Sequence, residues 1–315
     1  MNEKIIKILK QHVEVFGSVS IENYIEKLED EFGIKPDLTF FDGYQTIITL
    51  GIGYLSKPTK FSGKGFGILS RYSYGTDYHI VFDKIISNII KELKILGIKA
   101  KGNVDISPLH ERFAAKCSSL GFIGKNDFLI HKEYGSYLYL GTILVNNDVQ
   151  IEQSIVDDCG DCTICIDACP SDALTNGFEE SKCISGISQE KIPFSIDEIK
   201  YFKTMIYGCD ICQRVCPKNK GVNFTKHQEF EPSGIENINL LELLEMSNKE
   251  YMAIYKNNAS SWRGPLVLKR NALCLLANQK QYGAIDKIKE SKMKYKSVLW
   301  YNKTADLVIK MLERE

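Results

Sequence analysis

Two runs of β-branched and aromatic residues dominate the first half of the chain, 46–54 (TIITLGIGY) and 137–145 (YLYLGTILV). Such runs fit a pleated, mostly buried surface and predict two strands. Between them, residues 79–96 place Phe82, Ile85, Ile86, Ile89, Leu93 and Leu96 at three- and four-residue spacings. That period gives one apolar helical face, which Gly97 ends. Residues 99–104 read as a further strand. Ser107 is a candidate cap with Pro108 at the first position of the next helix, closed by Gly121 after Leu120. Beyond about residue 232 the pattern turns helical, with helices predicted at about 265–279, 283–290 and 297–313.

The expected class is α+β in three regions: an α/β domain over 1–150, a ferredoxin-like insert over 151–231, and a helical segment over 232–315. With 315 residues there is enough chain for about two ordinary domains. Forty basic residues balance forty acidic ones, so no global field draws the chain to a polyanion. The balance is uneven along the chain. Residues 151–183 hold eight acidic residues and one lysine, and residues 253–315 hold thirteen Lys or Arg against five Asp or Glu. A basic helical end is ordinarily a solvated face, and a phosphate-binding role needs other support. No apolar run approaches the length of a membrane span and no signal-peptide core opens the chain, so a cytoplasmic protein without membrane attachment is expected.

Eight of ten cysteines crowd between 159 and 216. In a reducing compartment this reads as metal ligation before disulfides. Cys159-x2-Cys162-x2-Cys165-x3-Cys169-Pro170 has the spacing of the bacterial ferredoxin run, in which three thiolates hold one [4Fe-4S] cluster and the fourth reaches another. Cys209-x2-Cys212-x3-Cys216-Pro217 is one cysteine short of the same run, and Cys183 supplies it. The crossed topology assigns Cys159, Cys162, Cys165 and Cys216 to one cluster and Cys169, Cys183, Cys209 and Cys212 to the other. A pair of structural zinc sites is the alternative, but zinc has no need for this cadence. Cys117 and Cys274 lie among apolar residues and are expected in the core.

Further stretches extend the picture: Ile68-Leu69-Ser70-Arg71-Tyr72, Tyr74-Gly75-Thr76-Asp77-Tyr78-His79, Val104-Asp105, Gly121-Phe122-Ile123-Gly124-Lys125-Asn126, Tyr207-Gly208-Cys209-Asp210-Ile211-Cys212, and Ser261-Trp262-Arg263-Gly264 with Lys269-Arg270-Asn271. Together with the cysteines, over roughly residues 45–280, they resemble the epoxyqueuosine reductase family, cobalamin-dependent iron–sulfur enzymes of tRNA queuosine synthesis. That family usually carries a longer array of HEAT-like helical pairs, whereas this chain stops after the first pair and one more helix. No counterpart is found for the basic residue the family places near the corrinoid at its N-terminal end.

The resemblance implies two-electron removal of the epoxide oxygen at the tRNA wobble position, with two [4Fe-4S] clusters and a base-off cobalamin as cofactors. The histidine-ligand motif D-x-H-x-x-G is absent, since Asp77-Tyr78-His79 continues without the glycine. Asp105 on its own serves a turn or cap; the resemblance makes it the proton donor, with an apolar or corrinoid-covered setting raising its pKa. His110 is a weaker relay candidate in the first helical turn. Ser70, Asp105, Asn126, Leu129, Leu140, Ser185, Cys209 and Asp210 match the family's corrinoid-lining positions. For the tRNA anticodon loop the candidates are Lys191, Lys218, Lys220, Arg263, Lys269 and Arg270, with Trp262 expected in the helical core rather than stacked on a base. A cellular one-electron donor is required and a monomer is expected. The competing readings are a reductive-dehalogenase-like corrinoid enzyme and a non-catalytic electron carrier.

Overall fold

The computed structural model describes residues 1–105, 108–151 and 157–313. The chain forms two compact units, each assembled from separated stretches. The first comprises Met1–Leu55, Tyr78–Thr163 and Val215–His227; the second comprises Ser56–Asp77, Ile164–Arg214 and Gln228–Glu315. The three consecutive regions read from the sequence are therefore interleaved: part of 1–150 belongs to the second unit, and the cysteine-rich stretch is divided between both.

The first unit is built on a four-stranded antiparallel sheet in the order Val15–Ser20, Thr46–Gly53, Leu138–Val145, Ala100–Asn103. The two β-branched runs are its central pair, with Thr49 opposite Thr142. Helix Tyr78–Ile95 lies on one face. Gly102 makes the close approach possible, since a Cβ there would sit 2.0 Å from Ile86 Cγ2. The other face is covered by helices Ile21–Phe32 and Glu111–Cys117, which bury Tyr24, Leu28 and Phe113 against Val19, Ile47 and Leu144. Ser20 caps the first of these through Asn23 N–H, and Gly33 in the left-handed region ends it.

One boundary differs from expectation. The helix after Asp105 begins at Glu111, with His110 at its cap position, so Pro108 is not its first residue. Ser107, the expected cap, lies outside the described residues. The helix ends at Cys117, and the left-handed turn falls on Ser119 rather than Gly121.

The second unit holds a small sheet ordered Met205–Tyr207, Phe66–Leu69, Asn237–Asn239. Its core gathers around helix Pro265–Asn278, which is buried on nearly every side by helices Ile196–Tyr201, Leu240–Glu245 and Leu299–Glu313. The observed helices Pro265–Asn278, Ile285–Lys294 and Leu299–Glu313 match the periods read from the sequence closely. Cys274 is fully buried in this core, as expected. Among the described residues no helix is long and apolar enough to cross a membrane.

Candidate functional site

In the second unit, strand Phe66–Leu69 runs into Ser70, whose N–H donates to Tyr207 O at 3.0 Å. The next residue after Tyr207 is Gly208, with φ +69°. A Cβ on Gly208 would lie 2.1 Å from Ser70 Oγ and 2.5 Å from Tyr72 Cε1, so glycine is obligatory here on both space and dihedral grounds. Gly208 N–H donates to Ser188 Oγ at 3.0 Å, and Ser188 Oγ donates to Ser185 O at 2.8 Å. Asp210 is buried, accepts Arg71 N–H at 3.3 Å through Oδ2 and pairs with Arg214 Nε at 3.0 Å. Three stretches far apart in sequence, carrying Ser70, Ser185 and the Cys209-Asp210 pair, are thus joined around one glycine.

Burial pushes the Cys209 thiol up to about 12 and Cys212 further, with Cys183 and Cys169 among the groups acting on both. Thiols in such a place ionise only for a metal, whose charge replaces the lost hydration. Cys165 also acts on Cys212. In the first unit, Cys216 has Cys159 and Cys162 as neighbours and receives the N–H groups of Lys218 and Asn219. Lys125 N–H points at Cys159 Sγ at 3.4 Å, and its ammonium binds Gly160 O at 2.7 Å. Backbone donors aimed at sulfur are a principal means by which a protein tunes an iron–sulfur cluster. All ten cysteines are free thiols. Among the described residues no three His, Cys, Asp or Glu side chains converge as ligands of a single ion; the thiolates of a cubane bind separate irons and do not have to.

The first unit also carries Asp105, beyond strand Ala100–Asn103. Its backbone is in the left-handed region, φ +50°, which a non-glycine residue adopts at a cost. Tyr78 hydroxyl donates to Asp105 Oδ2, and His79 Nε2 stands 3.6 Å from the same oxygen. Tyr78 is held by a column of rings: its centroid is 4.4 Å from Tyr139, which is 4.4 Å from Tyr54. Asp105 N–H donates to Glu111 Oε1 at 3.0 Å. Burial first, and then the Asp105 charge, push the Glu111 carboxyl well above the usual range. Tyr78, His79 and Glu111 were not among the sequence candidates. The first two lay in a matching stretch, but nothing in their spacing pointed to Asp105.

Asn126, Leu129 and Leu140 lie in this unit as well. Leu129 and Leu140 belong to an apolar cluster with Ala115, Leu120 and Leu138. Asn126 is buried; its Oδ1 accepts Phe128 N–H at 3.4 Å while its Nδ2 has no partner among the described residues. Ser70 Oγ in the second unit is likewise buried without one. A buried donor or hydroxyl left alone is costly. Both are among the positions matched to corrinoid-lining residues, so the side chains present fit a bound polar cofactor. His110 is set apart from the acid: its ring stacks on Phe32, 6.5 Å between centroids, and it precedes the helix instead of opening it.

The basic candidates divide sharply. Lys269 and Arg270 are fully buried, which corrects their assignment to tRNA. Lys269 Nζ binds Leu244 O, Met246 O and Tyr295 OH. Arg270 donates to the carbonyls of Ile187, Ser188, Glu190 and Ile192. Both heads are consumed in tying loops to a central helix and cannot reach a phosphate. Trp262 is corrected in the opposite sense. It is 58% exposed, with its indole N–H on Gln189 Oε1 and Tyr207 OH at 2.9 and 2.8 Å and the Arg263 guanidinium 3.8 Å over its ring. Arg263 also approaches Glu190 at 3.6 Å. Lys191 and Lys220 are exposed, and Lys218 pairs with Asp157 at 2.6 Å.

A mixed helix-and-sheet chain with eight clustered thiols is a two-cluster iron–sulfur protein, and residues 158–219 match the 4Fe-4S double cluster binding domain. This sets the zinc alternative aside. Residues 36–106 match the epoxyqueuosine reductase QueG domain. The chain is 35% identical over 291 residues to an epoxyqueuosine reductase from Staphylococcus aureus, covering 90% of this chain and 76% of that one. The structure of epoxyqueuosine reductase from Streptococcus thermophilus superposes with a TM-score of 0.87 at 31% identity, covering 100% of this chain and 91% of that one. An epoxyqueuosine reductase bound to an epoxyqueuosine-modified tRNA-Tyr stem loop gives 0.82 at 26% identity, covering 99% and 98%. The chain belongs to the epoxyqueuosine reductase family.

Proposed function

We propose that this chain reduces epoxyqueuosine to queuosine at the wobble position of tRNA. The carrying observation is the Gly208 corner, which joins buried Ser70 and Asp210 with half-buried Ser185 and Cys209 beside cluster cysteines in a chain of this family. The reaction cleaves both carbon–oxygen bonds of the epoxide, consumes two electrons and two protons, leaves a carbon–carbon double bond and releases water. Cys159, Cys162, Cys165 and Cys216 hold one cluster, and Cys169, Cys183, Cys209 and Cys212 the other. A bound cobalamin would supply the electron pair that reduces the strained ring. Ser70, Asn126, Leu129, Leu140, Ser185, Cys209 and Asp210 line its site, and Asp105 donates protons to the leaving oxygen.

Exposed Lys191 and Lys220 and half-buried Arg263 are the cations offered to tRNA phosphates, with Lys218 close to Lys220 in the sequence, and the exposed Trp262 ring is offered to a splayed base. Residues 1–150 serve mainly the corrinoid, 151–231 the clusters and 232–315 the RNA. The enzyme works as a cytoplasmic monomer fed by a one-electron donor. Anaerobically reconstituted protein with cobalamin and a low-potential reductant should convert an epoxyqueuosine-containing stem loop to a product lighter by one oxygen. Binding should weaken steeply with salt. Fully loaded protein that leaves the nucleoside unchanged would overturn the proposal.

A further inference from the structure

We propose that Glu111 reloads Asp105 with a proton during turnover, the two carboxyl groups working as one pair. The inference rests on Asp105 being the acid. Two protons must reach the same departing oxygen before it leaves as water, and one carboxyl carries only one. A neighbouring acid within hydrogen-bond reach can load it each time. Glu111 occupies that position: it opens helix Glu111–Cys117, accepts the Asp105 N–H at 3.0 Å, and makes a side-chain hydrogen bond to the Asp105 carboxyl. Two carboxyl groups can share such a bond only if one of them is protonated.

The surroundings decide which one keeps the proton at rest. Asp105 Oδ2 accepts the Tyr78 hydroxyl and lies 3.6 Å from His79 Nε2. Glu111 is less exposed, and burial together with the neighbouring carboxylate favours its neutral form against the pull of the helix N-terminus. The step balances simply. The Glu111 O–H bond breaks as an Asp105 O–H bond forms; Asp105 gives that proton to the oxygen and becomes a carboxylate again; water reprotonates Glu111, and the same transfer supplies the second proton. Glu111 acts through Asp105 and is a positioning residue, and Tyr78, stacked on Tyr139, fixes the receiving oxygen.

The test is Glu111→Gln, which preserves shape and an acceptor for the Asp105 N–H but carries no transferable proton. Iron and corrinoid content should match the wild type, the thermal midpoint should not fall, KM should be unchanged, and kcat should fall about tenfold or more. The wild-type kcat should decline as pH rises and Glu111 ionises, and this limb should vanish in the variant. Infrared spectra of the unreacted protein should show a protonated carboxyl band near neutral pH that Glu111→Gln removes. Its absence from the wild type would overturn the inference even if the variant failed to fold. Asp105→Asn separates the two claims: inactive Asp105→Asn beside wild-type kinetics in Glu111→Gln sinks the Glu111 role alone, whereas active Asp105→Asn sinks the acid assignment and this inference with it.

Discussion

Gly208 and Asp105 both adopt left-handed backbone, yet their settings are opposite. Around Gly208 the space is filled, with Ser70 and Tyr72 where a methyl would go and Ser188 accepting its N–H. Asp105 is an exposed side chain in a strained loop, held through its carboxylate and amide by Tyr78, His79 and Glu111. The contrast matches what the two jobs require. Electron transfer needs cofactors held at fixed distance, which packing provides, whereas a proton donor must follow an atom that is leaving. Strain at the acid is tolerated because it keeps the carboxylate presented, and strain at the corner is removed by using glycine.

The most severe break of that comparison is Gly208→Ala. The methyl forces Ser70 or the backbone aside, and iron and corrinoid content measured after reconstitution should both collapse; full loading would show that the corner is not a cofactor support. Next is Arg270→Ala, which removes the donor from four carbonyls, two of them fully buried, and should lower stability by about 3–5 kcal/mol in denaturant unfolding. Asp105→Asn changes the exposed side of the comparison and should do the reverse, leaving the thermal midpoint unchanged while lowering kcat by about 10²- to 10⁴-fold.

A subtler effect distinguishes Glu111 by pH. Its folded-state pKa lies above the ordinary glutamate value of 4.5, so as pH rises past 4.5 the unfolded chain loses this proton first and the fold is progressively destabilised. Glu111→Gln should therefore gain stability relative to the wild type as pH increases from 4.5 toward neutrality and beyond, measured by denaturant midpoints. The smallest effect expected is Arg263→Ala, which should leave kcat intact, raise KM for the RNA modestly and reduce the salt slope of binding by about one.

Much of this arrangement was legible beforehand for stated reasons. The β-branched runs gave the central strand pair, the three- and four-residue spacing gave helix Tyr78–Ile95, and the cysteine cadence required no structure at all. What failed was the reading of charge. Lys269-Arg270 lies in a basic segment, and sequence shows the sign of a side chain but not that helix Pro265–Asn278 is surrounded on all sides. Trp262 failed in the opposite direction: a large aromatic is normally core, and its exposure depends on Gln189 and Tyr207, which lie more than fifty residues away. The sheet joining Met205–Tyr207, Phe66–Leu69 and Asn237–Asn239 was missed because three- and four-residue strands carry too little periodicity to be seen. The Asp105 partners were hidden similarly, since Tyr78 and Glu111 lie on different helices and each meets Asp105 only in the fold.

The central claim is that one chain holds two clusters and a corrinoid without a histidine ligand. Anaerobic reconstitution with cobalamin, followed by iron, acid-labile sulfide and corrinoid determination and an optical spectrum, tests it most directly. The account predicts iron and sulfide for two [4Fe-4S] clusters and one base-off corrinoid per chain. Two clusters without corrinoid, or a corrinoid spectrum with a histidine lower ligand, would contradict it.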